Sequence, residues 1–159
     1  MKDFLKNNFL PIWNHFLFFE INRSREAIKM IGDANGYLVF QVICWHYVIV
    51  VMNSSEISYN GINRDEAVNL WLKFGKEGFN TNKVLTYTLV SSLTGLSIET
   101  VRRQVTKLKN NNWVAYSKKN GIKLEPNEEN NIFLTDSFNN MELENFGALL
   151  DIIEKKKII

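Results

Sequence analysis

TYTLVSSLTGLSIETVRRQVTKLKNNNWVAYSKKNGIKL, residues 86–124, is the stretch around which the rest of the chain is arranged. It reads as a short helix, a tight turn, a second helix and the first part of a β-ribbon. Thr86 is placed to cap the first helix, because its hydroxyl can accept from a free backbone N–H of the first turn. Leu89, Val90 and Leu93 give that helix one apolar face. Gly95 ends it, since a residue without Cβ turns left-handed at little cost. Leu96 is expected as the buried plug of the turn, and Ser97 as the cap of the next helix. Val101, Val105 and Leu108 fall at i, i+4 and i+7 and so face the core. Asn110, Asn111 and Asn112 end the helix, where Asn is the next-best left-handed residue after Gly.

The other face of that second helix carries Glu99, Thr100, Arg102, Arg103, Gln104, Thr106 and Lys107. These groups suit a DNA major groove. Arg and Gln can each make paired hydrogen bonds to a purine edge, and a carboxylate can accept from the cytosine amino group. Residues 113–116 read as a strand, and Lys118-Lys119-Asn120-Gly121 as a hairpin tip with an Asn-Gly turn signal. The charge is segregated too. Arg102, Arg103, Lys107, Lys109, Lys118, Lys119 and Lys123 are basic, and no acidic residue lies between Thr100 and Leu124. Such a patch is what a phosphate-binding surface requires, although basic faces are also often merely solvated.

Helix, turn, helix and ribbon in this order make a winged helix-turn-helix. Residues 85–114, LTYTLVSSLTGLSIETVRRQVTKLKNNNWV, resemble the helix-turn-helix of the MarR and cyclic-AMP-receptor-protein (Crp/Fnr) superfamilies of bacterial transcription regulators. The matching features are Thr86, Leu93, Gly-Leu-Ser at 95–97, Thr100-Val101, Arg103, Leu108 and the step at Asn112-Trp113-Val114. The string at 97–103 is similar to the start of the recognition helix in the cyclic-AMP receptor group, departing from it at Ile98. The resemblance implies that Glu99 and Arg103 reach base edges and that Ser97 and Thr100 hold phosphate. It extends over about residues 84–135; the region before it shows no resemblance, and read as helices it has no room for a cyclic-nucleotide-binding jelly roll.

The chain has 159 residues, enough for one domain with a core or a small domain plus a dimerisation layer. With 45% hydrophobic and 13% aromatic residues it is not a disordered composition, and a net charge of +2 implies no partner by itself. One cysteine, Cys44, excludes an intrachain disulfide and fits a reducing cytosol. The start, MKDFLKNNFLPIW, lacks a signal-peptide pattern, and a cytoplasmic location is expected.

Residues 1–20 are dense in apolar groups, with Phe9, Trp13 and Phe16 on one face and Pro11 in a first helical turn. They read either as a helix packed on another subunit or as a plain core helix. A helix is expected from Ser24, with Gly32 and Gly36 breaking or kinking it. Residues 37–52, YLVFQVICWHYVIVVM, are the most apolar run; sixteen residues fall short of the ~20 that span a bilayer. A buried helix is favoured by length, a strand remains open from the β-branched content, and stable membrane insertion is not expected. Cys44 and His46 are two apart, on different helical faces, so core packing outweighs a metal site. Residues 53–63 read as a loop, Asn63 and Glu66 as a capping box, Val68, Trp71 and Leu72 as a helical face, and residues 75–83 as a loop. Val84-Leu85 is expected as a short strand beside the wing, and residues 131–135 as its last strand. The wing tip is then either 118–121 or 126–130. Asp136 or Ser137 would cap a final helix with a stripe of Phe138, Met141, Phe146, Leu149, Leu150 and Ile153.

The expectation is therefore a mainly α fold. Residues 1–62 form an N-terminal helical region for core or dimerisation, 63–135 a winged helix-turn-helix, and 136–159 a C-terminal amphipathic helix. The terminal helices would pair two copies, as the resemblance to MarR-like proteins also implies. The expected function is sequence-specific double-stranded DNA binding by a dimeric transcription regulator. The helix at 97–109 would read bases through Glu99, Arg102, Arg103 and Gln104. Thr86, Thr88, Ser97, Thr100, Lys107, Lys118 and Lys119 would complete the DNA-binding set. No Gly-rich phosphate loop, HExxH, CxxC or GxSxG is present, so no enzyme, catalytic residue, metal or cofactor is expected. A small-molecule effector is left open, with Trp13, Trp45, Tyr47 and Trp71 available to line a pocket. The alternatives are a winged-helix protein–protein module and a replication or phage-type DNA-binding protein.

Overall fold

A computed structural model describes residues 1–54, 62–77 and 84–157. Among them the chain is mainly helical, with one antiparallel pair of strands. The helices are α1 (Lys2–Asn7), α2 (Phe9–Ile31), α3 (Ala34–Ser54), α4 (Arg64–Glu77), α5 (Tyr87–Thr94) and α6 (Ile98–Asn110). Strands β1 (Val114–Ser117) and β2 (Gly121–Leu124) follow, then α7 (Glu128–Ile132), a π-helical stretch (Phe133–Phe138) and α8 (Asn139–Lys157). Two compact units result. One is Ile31–Asn131; the other joins Met1–Met30 to Ile132–Ile159. Helix α3, grouped from sequence with the N-terminal region, thus belongs with α4 to β2.

Helix α2 runs unbroken for 23 residues. Ser24 does not start a helix, because no Gly or Pro lies between Pro11 and Gly32 to stop the one already under way. The break comes at Gly32, whose φ of +100° suits a residue without Cβ. Asp33 then caps α3, its Oδ1 accepting the Gly36 N–H at 2.8 Å. Gly36 therefore does not break the helix but sits in its first turn. A Cβ there would lie 2.9 Å from Ile31 Cγ2 and 3.3 Å from Gln104 Oε1, so the small residue permits close packing.

Helix α3 is the centre of its unit. Tyr37, Val39, Phe40, Ile43, Tyr47 and Val50 are buried, and it packs on α5, α6 and β2. The strand alternative for this run is thereby excluded. Ala34–Asn53 is long and apolar enough to cross a membrane by length and composition, but its inner side is part of a protein core. Phe40 meets the Trp113 ring edge-on at 5.1 Å, and Tyr47 meets Trp71 at 4.4 Å. The Tyr47 hydroxyl also donates to the Trp71 carbonyl at 2.8 Å. Burial pushes the Tyr47 phenol up to about 12.

The capping box of α4 is formed as the sequence predicts. Asn63 Oδ1 accepts the Glu66 N–H at 3.0 Å, and Glu66 Oε2 accepts the Asn63 N–H at 3.1 Å. The loops expected at 53–63 and 75–83 are shorter at their ends: α3 reaches Ser54 and α4 reaches Glu77. The remainder, 55–61 and 78–83, lies outside the described residues. Trp71 and Val68 are half-buried, whereas Leu72 is exposed.

After Leu124 the chain departs from expectation. Residues 131–135 are helical, not a third strand, and Asp136 and Ser137 lie inside a helical run instead of capping one. The cause is local. Asn127 Oδ1 accepts the Asn130 N–H at 2.9 Å, and Glu128 and Glu129 occupy the first turn, where negative charge favours the helix N-terminus. No Gly or Pro follows until Gly147 to stop the helix. The tip of the hairpin is therefore at 118–121. In the terminal unit α2 and α8 meet through Phe19 and Phe146 at 5.6 Å and through an Arg23–Glu142 ion pair. Of the expected stripe on α8, Phe138 and Leu149 are buried, Met141 and Ile153 are half-buried, and Phe146 and Leu150 remain exposed.

Candidate nucleic-acid interface

The local signals around α5 and α6 hold atom by atom. Thr86 Oγ1 accepts the Leu89 N–H at 3.2 Å, and Ser97 Oγ accepts the Thr100 N–H at 3.1 Å. Gly95 is left-handed at φ +72°. At the far end of α6, Asn112 takes a left-handed φ of +58°. The Trp113 N–H then reaches back to the Leu108 carbonyl at 2.9 Å, and the Asn112 N–H to that of Lys109 at 3.0 Å. That pair of bonds is a Schellman closure with Asn in the glycine place. It directs the chain from α6 straight into β1.

One face of α6 is closed: Val101, Gln104, Val105 and Leu108 are buried. Gln104 is therefore not a base-reading residue. Its Nε2 donates to Asp33 Oδ1 at 3.0 Å. The reason is visible in the spacing, since Gln104 is three residues after Val101 and four before Leu108, inside the apolar stripe. Lys107 is exposed, but its Nζ donates to Asp33 Oδ2 at 3.1 Å, so it is already engaged with a carboxylate. Partial burial pushes the Asp33 carboxyl up. The Gly36 N–H, the Lys107 ammonium and the Gln104 amide together outweigh this and hold it below the usual carboxylate range.

The open face of α6 is centred on Glu99, Arg103, Thr106 and Asn110, with Arg102 beside it. Arg103 is exposed, and no hydrogen bond or ion pair holds it among the described residues. Arg102 lies 4.0 Å from Glu99 and over the Tyr87 ring at 5.7 Å from its centroid. Tyr87 in turn packs on Tyr116 of β1 at 4.8 Å. Burial first, then the neighbouring Tyr116, push the Tyr87 phenol up; Arg102 acts in the opposite sense. Thr106, placed on this face by the sequence but given no DNA-binding role there, is central on it, as is Asn110, which the sequence reads only as a helix end; helical spacing from Glu99 and Arg103 reaches it. Thr88 is exposed, while the hydroxyls of Thr86 and Ser97 are already used as helix caps.

The apolar face expected for α5 is only partly realised. Val90 is buried, but Leu89 and Leu93 are 42% and 49% exposed, and Leu96 in the turn is only half-buried. An eight-residue helix presents one narrow side to α3 and α6, and Val90 occupies it.

The hairpin pairs Val114 with Leu124, Ala115 with Lys123, Tyr116 with Ile122 and Ser117 with Gly121. Lys118, Lys119 and Asn120 form its tip, all exposed, with Ser117 Oγ accepting the Asn120 N–H at 3.0 Å. Gly121 is left-handed at φ +67°, and a Cβ there would run into the Leu85 carbonyl. Val84-Leu85 is not a strand. Among the described residues it meets the hairpin through the Ile122 N–H, which donates to the Leu85 carbonyl at 2.9 Å.

No group of three or more metal-binding side chains is found among the described residues. Of the aromatic residues considered for a pocket, Tyr47 and Trp71 pack on each other, and Trp13 and Trp45 are exposed. No family model matches the chain, and comparison with curated proteins and with solved structures gives no match.

Proposed function

We propose that this chain binds double-stranded DNA through a winged helix-turn-helix made by α5, α6 and the β1–β2 hairpin, as a sequence-specific transcription regulator acting as a dimer. One observation carries the reading. The outer face of α6 presents Glu99, Arg102 and Arg103 to solvent while its inner face is locked into the core, and the basic tip Lys118-Lys119 is exposed as well. A helix so held can be inserted into a major groove without losing its packing, and the lysines can neutralise flanking phosphates. Arg103 and Glu99 read bases; Arg102, Thr100, Lys118 and Lys119 position the helix. Lys107 contributes only when its bond to Asp33 yields.

The test is selection from a random duplex pool, followed by titration of the enriched site and of random DNA at two salt concentrations. Arg103→Ala weakens binding to the selected site by about 1–3 kcal/mol and relaxes preference there. Lys119→Ala, the control, weakens all sequences alike and lowers the salt slope by about one. Equal losses on both DNAs for Arg103→Ala remove it from base reading, and no binding at low salt ends the proposal.

A second reading has its own support. Leu89 and Leu93, four residues apart on one side of α5, and Ile98, the first residue of α6, are all exposed, and an apolar partner surface would cover them. A protein–protein module of this kind predicts no salt-dependent DNA affinity, and loss of partner capture in Leu93→Glu.

A further inference from the structure

We propose that the outward face of α2 is a coiled-coil seam that pairs in parallel, in register, with α2 of a second copy of this chain. Leu10, Asn14, Leu17, Ile21, Ser24 and Ile28 follow one another at spacings of four, three, four, three and four. That is the heptad alternation, with Leu10, Leu17 and Ser24 at d and Asn14, Ile21 and Ile28 at a. β-Branched residues at a with Leu at d favour two strands. A single Asn at a fixes register, because its amide is satisfied when it meets the same Asn of a parallel partner.

The face is open from Leu10 to Ile21 and half-buried at Ser24 and Ile28. Leu10 is 78%, Leu17 45% and Ile21 62% exposed, and Asn14 is exposed beside them. A different side of the helix is taken, since Phe19 and Arg23 hold α8 through Phe146 and Glu142. Helix α2 is thus apolar on two sides and has a partner within its own unit on one. The charges complement a second copy of itself. In the parallel register position g of one helix faces position e, five residues on, of the other. Glu20 is at g and Arg25 at e, so each Glu20 faces Arg25 of the second copy, twice across the two-fold axis. Arg25 is exposed, and among the described residues it bonds its own chain through Nε to Glu26 at 2.8 Å. An antiparallel pair would set g against g and e against e, and would take Asn14 away from its counterpart.

This pairing rests on the dimer of the proposed function; the experiment is sedimentation equilibrium on the full chain without DNA, so its failure removes that dimer and leaves DNA binding itself untouched. Glu20→Arg and Arg25→Glu each replace two attractions by two repulsions and raise the dimer dissociation constant about tenfold. An equimolar mixture of the two variants forms heterodimers with the wild-type constant, because both pairs are then complementary again. Leu17→Glu gives a monomer with unchanged helical circular dichroism, since the residue is exposed in the single chain. Asn14→Leu dimerises more tightly. A dimer that survives Leu17→Glu, a mixture of charge variants that restores nothing, or a wild-type chain monomeric at all concentrations overturns the proposal. So does a monomer whose apolar face instead binds neutral phospholipid vesicles.

Discussion

The unit Ile31–Asn131 closes a large apolar core inside, although Trp45, Val48, Leu89 and Leu93 stay exposed on it, whereas the unit of Met1–Met30 and Ile132–Ile159 buries few of its apolar side chains and leaves most at the surface. In the first, α3 is covered by α5, α6 and β2, and Ile43, Leu85, Val90, Val101, Val105 and Leu108 are all but sealed from solvent. In the second, Ile12, Ala27, Phe138 and Leu149 are the buried apolar residues among those described, while Leu10, Phe18, Ile21, Phe133 and Leu143 are among those that stay exposed. The sequences of both are apolar enough to fold. What differs is the number of faces available. Two long helices can cover one stripe of each other, so a helix that is apolar on two sides keeps one stripe free. The first unit is then a scaffold that fixes the open face of α6, and the second is the one that keeps an uncovered apolar stripe.

The sharpest way to break this contrast is at Gly121. The hairpin is joined to the rest of its unit by the Ile122–Leu85 bond, and Gly121 sits beside it, left-handed, with no room for a methyl group against the Leu85 carbonyl. Gly121→Ala combines a left-handed penalty of about 1 kcal/mol with that collision, and is expected to lose about 3 kcal/mol in urea unfolding. Wild-type stability in this variant would mean that the hairpin is independent of the core.

Asp33 gives the next largest effect. Asp33→Ala removes the α3 cap and leaves Gln104 without its acceptor, a loss of about 1–2 kcal/mol. Because the native carboxyl lies below its unfolded value, its contribution is present above the unfolded pKa near ~4 and is lost as pH falls through the lower native value. The variant should therefore show a flatter acid limb than the wild type. It also frees Lys107, so its salt slope on DNA should steepen by about one. An unchanged slope would place Lys107 outside the DNA contact.

These residues show what could be read from the chain. Caps, turns and helix stops depend on a few adjacent residues, and Thr86, Gly95, Ser97, Asn63 with Glu66, and Asn112 behave as their types require. The inner face of α6 was legible for Val101, Val105 and Leu108. The sequence does not reveal Gln104 as part of it, because an amide is polar by type yet can be buried once a distant Asp33 satisfies it. Residues 131–135 read as a strand yet form helix, because the run Asn-Ile-Phe-Leu-Thr suits both equally. The deciding cap at Asn127 lies just upstream. Whether Leu89 and Leu93 are covered depends on which side of α5 meets α3, which no local pattern specifies.

A smaller effect tests the core of the first unit at high pH. Tyr47 is buried, donates to the Trp71 carbonyl and has its phenol raised to about 12. A raised native value means that its contribution is fully present below the unfolded value near ~10 and is lost as pH climbs towards about 12. The wild type should lose stability over that interval. Tyr47→Phe costs about 1 kcal/mol at neutral pH through the missing hydrogen bond and removes this part of the alkaline loss. Identical alkaline limbs would show that Tyr47 ionises as readily folded as unfolded.

The smallest effect is a gain, and it lies in the other unit. Gly147 is inside α8, with nothing within 4 Å of the place a Cβ would take. Unlike Gly121 it is not among the left-handed glycines. Nothing in its backbone or surroundings needs a missing side chain, so it only adds conformational freedom to the unfolded chain. Gly147→Ala should stabilise the protein by up to about 1 kcal/mol in urea unfolding. The same change thus has opposite signs at two glycines. At Gly121 the methyl meets a core that is already closed; at Gly147 it meets open space on a helix whose packing is incomplete. If Gly147→Ala instead destabilised the chain, or weakened self-association, a second helix would have to approach α8 there. The open surface of the terminal unit would then be centred on α8 and not on α2.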